Sequence, residues 1–347
     1  MINLSVRRIS LTLIFGLMLF VADLQAREPY RIIAYNVENF FDAQHDDQKN
    51  DDDFTPYGAY RWTDFRFSAK AEQIARVITQ AGQWDTPLVV GLCEVENASC
   101  LTRLMHCMPN HPYRFLHSES PDERGIDVAL LYDSLRFQIL EWSAMPVDLD
   151  DDYTRDILYA KGLIPESDTL HIMMCHLPSM RGGEKASEWK RQRAKQVIQT
   201  QTDSILAYNP EALVVVMGDM NSQPKDDIKG LINRMISHRH KHKNDYNRGL
   251  HNPNNADRQN YYNSQRNSIQ GTHKWQGTWS CLDQFYLSPA LDRRAETRIF
   301  AEDFLLEDDD KHLGNVPFEP SKAIGITPMA IATICPLSLT FSLGFAL

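Results

Sequence analysis

The chain has 347 residues, 43% of them hydrophobic and 24% charged, enough apolar material to bury one large core or two smaller ones. Its formal net charge of −10 excludes broad, sequence-blind adhesion to nucleic acid, though not a local basic groove. Six cysteines, at 93, 100, 107, 175, 281 and 335, follow neither a zinc spacing nor a dense disulfide pattern and read as free thiols, with a Cys100–Cys107 pair as the alternative.

At the start of the chain, Arg7 and Arg8 precede an apolar stretch from Ile9 to Ala22, and Ala26 supplies the small residue of a cleavage site. Residues 1–26 therefore read as an export signal, despite Leu24 in an imperfect cleavage position, and the expected location is periplasmic or secreted. Tyr30 to Tyr35 is a short β-forming run, and Asn36-Val-Glu38-Asn39 follows it. The aspartates at 46, 47, 51, 52 and 53 mark a solvated acidic loop that lacks the glycine and ligand spacing of an EF-hand. Phe67, Ala71, Ile74, Ala75 and Ile78 have helical spacing within Phe65–Ala81, with Gly82 as the stop.

Leu88 to Leu92 is a continuous apolar run, hence a buried central strand, with Glu94 just past its end. Ile126–Tyr132, Leu170–Cys175 and Leu213–Met217 repeat that pattern. Ser187–Tyr208 predicts a helix, Asp226–Ile236 a second, weaker one, and residues 238–268 a long surface loop. Buried strands alternating with helices and hairpins imply sheets covered by helices, an α/β or α+β class.

Polar residues cluster at these strand ends. A carboxylate directly after a buried strand, as at Glu94, is held rigidly, and hard ions such as magnesium take one or two carboxylates plus water and phosphate. Asp219 and Asn221 alternate after Leu213–Met217, so extended backbone would turn both to one side. An aspartate can deprotonate a water there and an asparagine amide can donate to a phosphate oxygen, although the same pair also makes an Asx turn. His176 ends another strand before Leu177-Pro178-Ser179, with Arg181 nearby as a planar phosphate donor. Asp283 lies inside the apolar run Leu282–Leu287 and requires a partner. Arg191, Arg193 and the His238–Lys243 stretch are candidates for a local basic surface or a solvated face.

Taken together, these motifs resemble the endonuclease/exonuclease/phosphatase superfamily, over roughly residues 28–318, and most nearly its exported bacterial members. The resemblance implies a four-layered α/β/β/α sandwich over a catalytic domain at 27–322, and metal-dependent hydrolysis of phosphate esters, most of all phosphodiesters of nucleic acid. Phosphomonoesters and phospholipids remain alternative substrates, and no stable protein partner is implied. The resemblance places Asn36 and Glu94 at a magnesium site, or manganese in substitution, with Glu38 beside them where many relatives carry aspartate. It gives His176 a phosphate or leaving-group contact, Asp219 the attacking water and Asn221 the phosphate. Arg124 and Asp127, within Arg-Gly-Ile-Asp-Val-Ala, match a stretch beside the site, and Asp283 would orient a histidine from a final Ser-Asp-His-x-Pro motif.

That final motif is absent. Residues 323–347 carry no charge and include Pro328 and Pro336, so they read as an aberrant apolar tail in place of the last strand, or as a poor membrane anchor. Back-translating Met329 to Pro336 and shifting the frame back by one nucleotide permits Asn/Asp-Gly-Tyr-Ser-Asp-His-Leu-Pro, and Leu337 to Phe341 then permits an apolar strand. A frameshift between about Phe318 and Met329 is the expectation, and with it a literal chain that lacks its last strand and is nearly inactive.

Overall fold

The computed structural model describes residues 29–83, 85–165, 168–180, 182–225, 227–234, 271–275, 277–308, 315–317 and 337–341. In chain order, β1 (Tyr30–Phe40) leads through α1 (Asp64–Gly82) to β2 (Val89–Val95), α2 (Ala98–His106), β3 (Tyr113–His117) and β4 (Asp127–Asp133). Next come β5 (Gln138–Met145), β6 (Ile157–Leu163), β7 (Thr169–His176), α3 (Glu184–Tyr208), β8 (Leu213–Asp219) and β9 (Ile232–Asn233). A small ribbon of β10 (His273–Trp275) and β11 (Thr278–Ser280) precedes β12 (Asp283–Leu287), α4 (Pro289–Asp292) and β13 (Ala295–Ile299). A second ribbon pairs β14 (Leu306–Asp308) with β15 (Asn315–Pro317), and β16 (Leu337–Phe341) comes last.

The strands form two six-stranded sheets, ordered β13-β16-β1-β2-β4-β3 and β5-β6-β7-β8-β12-β9. Because strand side chains alternate faces, each continuous apolar run feeds two cores. Ile32, Val89 and Leu130 of the first sheet meet Ile172, Val215 and Phe285 of the second between the sheets. The opposite face of the first sheet, through Ile33, Val90 and Leu131, packs on Phe67, Ile74 and Ile78 of α1 and Leu101 of α2. The opposite face of the second, through Met173, Val214 and Val216, packs on Ala194, Ile198 and Ile205 of α3. These four layers agree with the expected sandwich.

Thr63 caps α1 by accepting from the Arg66 backbone N–H, and Gln83 leaves the helix at a φ of 60° just past Gly82. α3 begins at Glu184, behind Gly183, three residues before the start read from the sequence. α2 was not expected; its only strong local signal is Asn97, whose side chain accepts from the Cys100 N–H. The helix expected over Asp226–Ile236 is corrected: Ile232–Asn233 is a short strand paired with Tyr286 and Leu287 of β12. There Asn233 donates from Nδ2 to Gln284 Oε1 at 2.7 Å, and that buried cross-strand pair outweighs the weak helical spacing.

The last strand, expected to be missing, is also corrected. Leu337–Phe341 runs antiparallel to both β1 and β13, with Tyr30 opposite Phe341 and Ala295 opposite Phe341 on the other side. Leu339 and Phe341 enter the intersheet core, where burial of each contributes roughly 1.5–3 kcal/mol. A ladder is made of backbone groups, so a β-forming apolar segment fills the slot whatever chemistry its side chains lack. Among the described residues no disulfide forms, with Cys93, Cys100, Cys107, Cys175 and Cys281 all thiols, and no helix is long and apolar enough to cross a membrane. Residues 1–28, the whole of the expected 238–268 loop, Cys335 and most of the apolar tail lie outside the described residues.

Candidate active site

The first-sheet half of the site is made by two irregular strand ends. β1 and β2 run in parallel register up to Asn36 opposite Cys93, then shift before Phe40 meets Val95. Glu38 and Asn39 take φ of 57° and Glu94 takes 64°, a left-handed region that costs a non-glycine residue on the order of 1–2 kcal/mol. Hydrogen bonds offset that strain. Glu94 accepts from the Asn39 N–H at Oε2 (2.8 Å) and from Asn36 Nδ2 at Oε1 (3.2 Å), while Asn36 Oδ1 takes the Glu38 N–H at 2.9 Å. The bulge thus re-aims Glu94 over the strand end.

The second-sheet half depends on Gly218, whose φ is +129° and whose Cβ, if present, would lie 1.9 Å from the Cys175 carbonyl oxygen. Only glycine permits this close approach of β7 and β8. Asp219 follows and is cross-strand partner to His176 in parallel register. Its Oδ1 accepts from the Asn221 N–H at 2.8 Å and its Oδ2 from Asn36 Nδ2 at 3.2 Å, so Asn36 ties the two sheets together. Extended geometry does not continue to Asn221, which turns at a φ of 44° and donates one amide N–H to the Leu177 carbonyl at 2.9 Å. Burial pushes the Asp219 carboxyl up to about 6; the Glu94 charge adds to the rise, and the bonds from Asn221 and Asn36 oppose it.

His176 faces both carboxylates, with Nε2 at 3.7 Å from Asp219 Oδ2 and 4.0 Å from Glu94 Oε1. Its backbone carbonyl is gripped by Arg155, which donates from Nε at 3.2 Å and Nη2 at 3.0 Å, reaches the Leu177 carbonyl at 2.9 Å, and pairs with Asp122 Oδ2 at 2.8 Å. Burial, then the charges of Arg155 and Arg124, hold the imidazole pKa well below its ordinary value. Asp283 sits opposite Asp219 on the antiparallel β12 and is fully buried. Thr272 Oγ1 accepts from the Leu282 and Asp283 N–H groups, and its hydroxyl is the side-chain donor beside Asp283, whose carboxylate oxygens otherwise make no well-directed hydrogen bond among the described residues. Burial first, and the charge of Asp219 second, push its carboxyl well above the usual range.

The model of the Endonuclease/Exonuclease/phosphatase family matches residues 31–319. The chain belongs to that family. Its members are generally phosphoesterases and nucleases, typically dependent on a divalent metal. Among solved structures, truncated TDP2 from Caenorhabditis elegans is similar at 14% identity and a TM-score of 0.54, covering 90% of this chain and 97% of its own. The human Nocturnin catalytic domain with a bound sulfate anion is similar at 15% identity and a TM-score of 0.52, covering 91% and 95%. An endonuclease/exonuclease/phosphatase family protein from Bacteroides thetaiotaomicron is similar at 12% identity and a TM-score of 0.52, covering 91% and 99%. At these identities the likeness is one of fold. No curated protein matches the chain.

Around this family site lie residues that the strand-end motifs did not mark. Lys70 of α1 is buried and donates from Nζ to the Glu38 carbonyl at 2.5 Å. Burial lowers its pKa, while the charges of Glu38 and Glu94 raise it. Its sequence signal was available: a lysine amid the apolar spacing of Phe67, Ala71 and Ile74. Arg155 had no local signal. Arg124 is partly exposed, 3.5 Å from Asp122, and Asp127 is buried against Ser120 and His117. Arg181 lies outside the described residues. The reading of Arg191 as basic surface is corrected: it is fully buried and donates to the carbonyls of Pro178 and Glu184, to Ser187 Oγ and to Glu188. That network anchors the loop after His176 to α3.

The donor set fits a hard divalent ion. Glu94 and Asp219 both accept from the Asn36 amide, so two carboxylates crowd one strand-end cleft; burial is the main cause of the raised Asp219 pKa and the Glu94 charge adds to it. An oxygen-binding cation relieves such crowding.

Proposed function

We propose that the chain is an exported, divalent-metal-dependent phosphodiesterase that acts on nucleic acid by attack of water on phosphorus. The observation that carries this reading is Asn36, which donates at 3.2 Å both to Glu94 and to Asp219 and so sets the two carboxylates on either side of one cleft. In this reading Glu94 holds the ion, with Asn36 and Glu38 beside it. A bound ion, magnesium with manganese as substitute, would supply charge neutralisation at the phosphoryl oxygens. Asp219, oriented by the Asn221 N–H, takes the proton of the attacking water. His176 and the amide N–H that Asn221 does not spend on Leu177 donate to phosphate oxygens. Arg124 and Arg181 add cationic contact, and the sulfate bound by the Nocturnin domain supports a tetrahedral anion in this fold.

The poorly bonded carboxylate of Asp283 supports a further part of the reading, a histidine supplied by the alternative frame upstream of Leu337. The alternative frame permits an apolar residue followed by Ile-Val-Asp-Phe at 337–341, a β-forming segment where β16 is found. Without that histidine, the same carboxylate favours the second reading, a relative that binds phosphate esters without turnover.

The test is an assay of plasmid DNA, sphingomyelin and inositol phosphates with magnesium or manganese, for the literal and frame-restored chains. Hydrolysis of DNA by the restored chain, abolished by Glu94→Gln, is expected. Hydrolysis confined to sphingomyelin or inositol phosphates overturns the substrate, and equal activity of both chains overturns the frameshift. Failure of both chains on all three substrates leaves the binding reading.

A further inference from the structure

At the far edge of the first sheet, β3 ends in His117, which pairs in register with Ala129 of β4 and so shares a face with Asp127 two residues along. His117 Nε2 and Asp127 Oδ2 lie 3.3 Å apart, their side chains only 5% and 1% exposed. Neither atom has a hydrogen-bond partner among the described residues. The distance is short enough for a bond, so direction is what fails: an imidazole N–H at Nε2 does not aim at the carboxylate oxygen. Asp127 Oδ1 is occupied, accepting from the Ser120 N–H at 3.0 Å and from its hydroxyl, which leaves Oδ2 for another ligand.

Glu119, on the exposed side, brings a carboxylate oxygen to 3.9 Å from His117 Nδ1. One ligand atom from each of the three residues lies within 4.8 Å of the others. Ligands about 2.0–2.1 Å from a tetrahedral metal are separated by about 3.3 Å along each edge, the spacing found between Nε2 and Oδ2. Asp156 Oδ1, a further buried oxygen without a partner among the described residues, belongs to a carboxyl that feels the charge of Asp127.

We propose that His117, Glu119 and Asp127 form a second metal site, distinct from the one at Glu94 and suited to a transition metal such as zinc or manganese. An imidazole with two carboxylates selects such ions over magnesium or calcium, which prefer oxygen alone. The site closes the loop between β3 and β4 that carries Arg124, and Asp127 is also the ladder partner of Val95, the residue after Glu94. A metal here holds that loop against the candidate active site without entering it. The inference rests on its own residues and stands whether or not Glu94 binds an ion.

The test is metal uptake by the full chain after chelator treatment, measured by dialysis against zinc or cobalt with excess magnesium present. One tightly held equivalent is expected for the unaltered chain and for Glu94→Gln. His117→Ala and Asp127→Asn should weaken it by at least about 100-fold, and Glu119→Gln, an exposed change that spares the fold, by about 10-fold. Bound cobalt gives a visible absorption that reports imidazole ligation independently of activity. Uptake unchanged by His117→Ala and Glu119→Gln, or no uptake by the unaltered chain, overturns the proposal and leaves an imidazole–carboxylate contact only.

Discussion

Two parts of the candidate active site differ in how their polar atoms are satisfied. On the β1, β2 and β8 side, Asn36, Glu94, Asp219 and Asn221 bond one another and nearby backbone, and this supports left-handed backbone at Glu38, Asn39, Glu94 and Asn221. On the β12, β13 and β16 side the ladders are regular, but Asp283, Thr297 and Ser338 bury side-chain oxygens without well-directed partners among the described residues. A buried polar group left unpaired costs roughly 1–3 kcal/mol. The difference teaches that a segment can supply everything a sheet needs and nothing the chemistry needs, because ladders use backbone and catalysis uses side chains.

The sharpest way to break this comparison is to attack the satisfied side. Asp219→Asn or Glu94→Gln in the frame-restored chain should lower kcat by about a thousandfold or more, roughly 4 kcal/mol of barrier, with the fold retained by circular dichroism. A loss below tenfold in both would remove the site from the β1, β2 and β8 side. Gly218→Ala comes next. With its Cβ 1.9 Å from the Cys175 carbonyl oxygen and φ at +129°, it should cost about 3 kcal/mol or more in urea unfolding, and a neutral result would contradict the close approach of β7 and β8.

The unsatisfied side predicts an opposite sign. Asp283→Val in the literal chain should stabilise by roughly 1–3 kcal/mol, because a buried, poorly bonded carboxyl is removed. The same change in the frame-restored chain should abolish activity. Destabilisation of the literal chain would mean that Asp283 has a well-directed partner there.

The smallest effect uses a satisfied group far from the site. His171, on the same strand as His176 but bonded to Tyr159 through Nδ1 at 2.8 Å, is held at about 4, chiefly by burial and then by Lys161. A histidine pKa lowered on folding gives stability that is complete above its unfolded value of about 6.5 and lost as pH falls towards about 4. His171→Gln should therefore flatten the fall in stability across that window, by on the order of 1 kcal/mol after allowance for partial exposure. Unchanged pH dependence would show that another group sets it.

Much of the fold was legible. The runs Leu88–Leu92, Leu170–Cys175 and Leu213–Met217 are apolar throughout except for His171, because both sheet faces are covered, and each became a central strand. The edge elements were harder. β9 is two residues long and exists only because Tyr286 and Leu287 lie beside it. Arg155 and Arg191 acquired their places from contacts distant in sequence, with the His176 carbonyl and with the Pro178–Ser179 loop, and no local pattern announces that.

By itself the amino-acid sequence determined an α/β or α+β class, the strand ends that carry Asn36, Glu94, His176, Asp219 and Asp283, and the absence of a charged closing motif in residues 323–347, while the four-layered sandwich was implied by the family resemblance. Periodicity and strand-end position are local properties, and they survive in a one-dimensional reading. Only the tertiary structure decided that Asn36 bridges both carboxylates, that Lys70 lies beneath Glu38, and that Leu337–Phe341 fills the gap between β1 and β13. Those outcomes depend on which buried groups find a partner across the sheets, and that is settled only when the layers close.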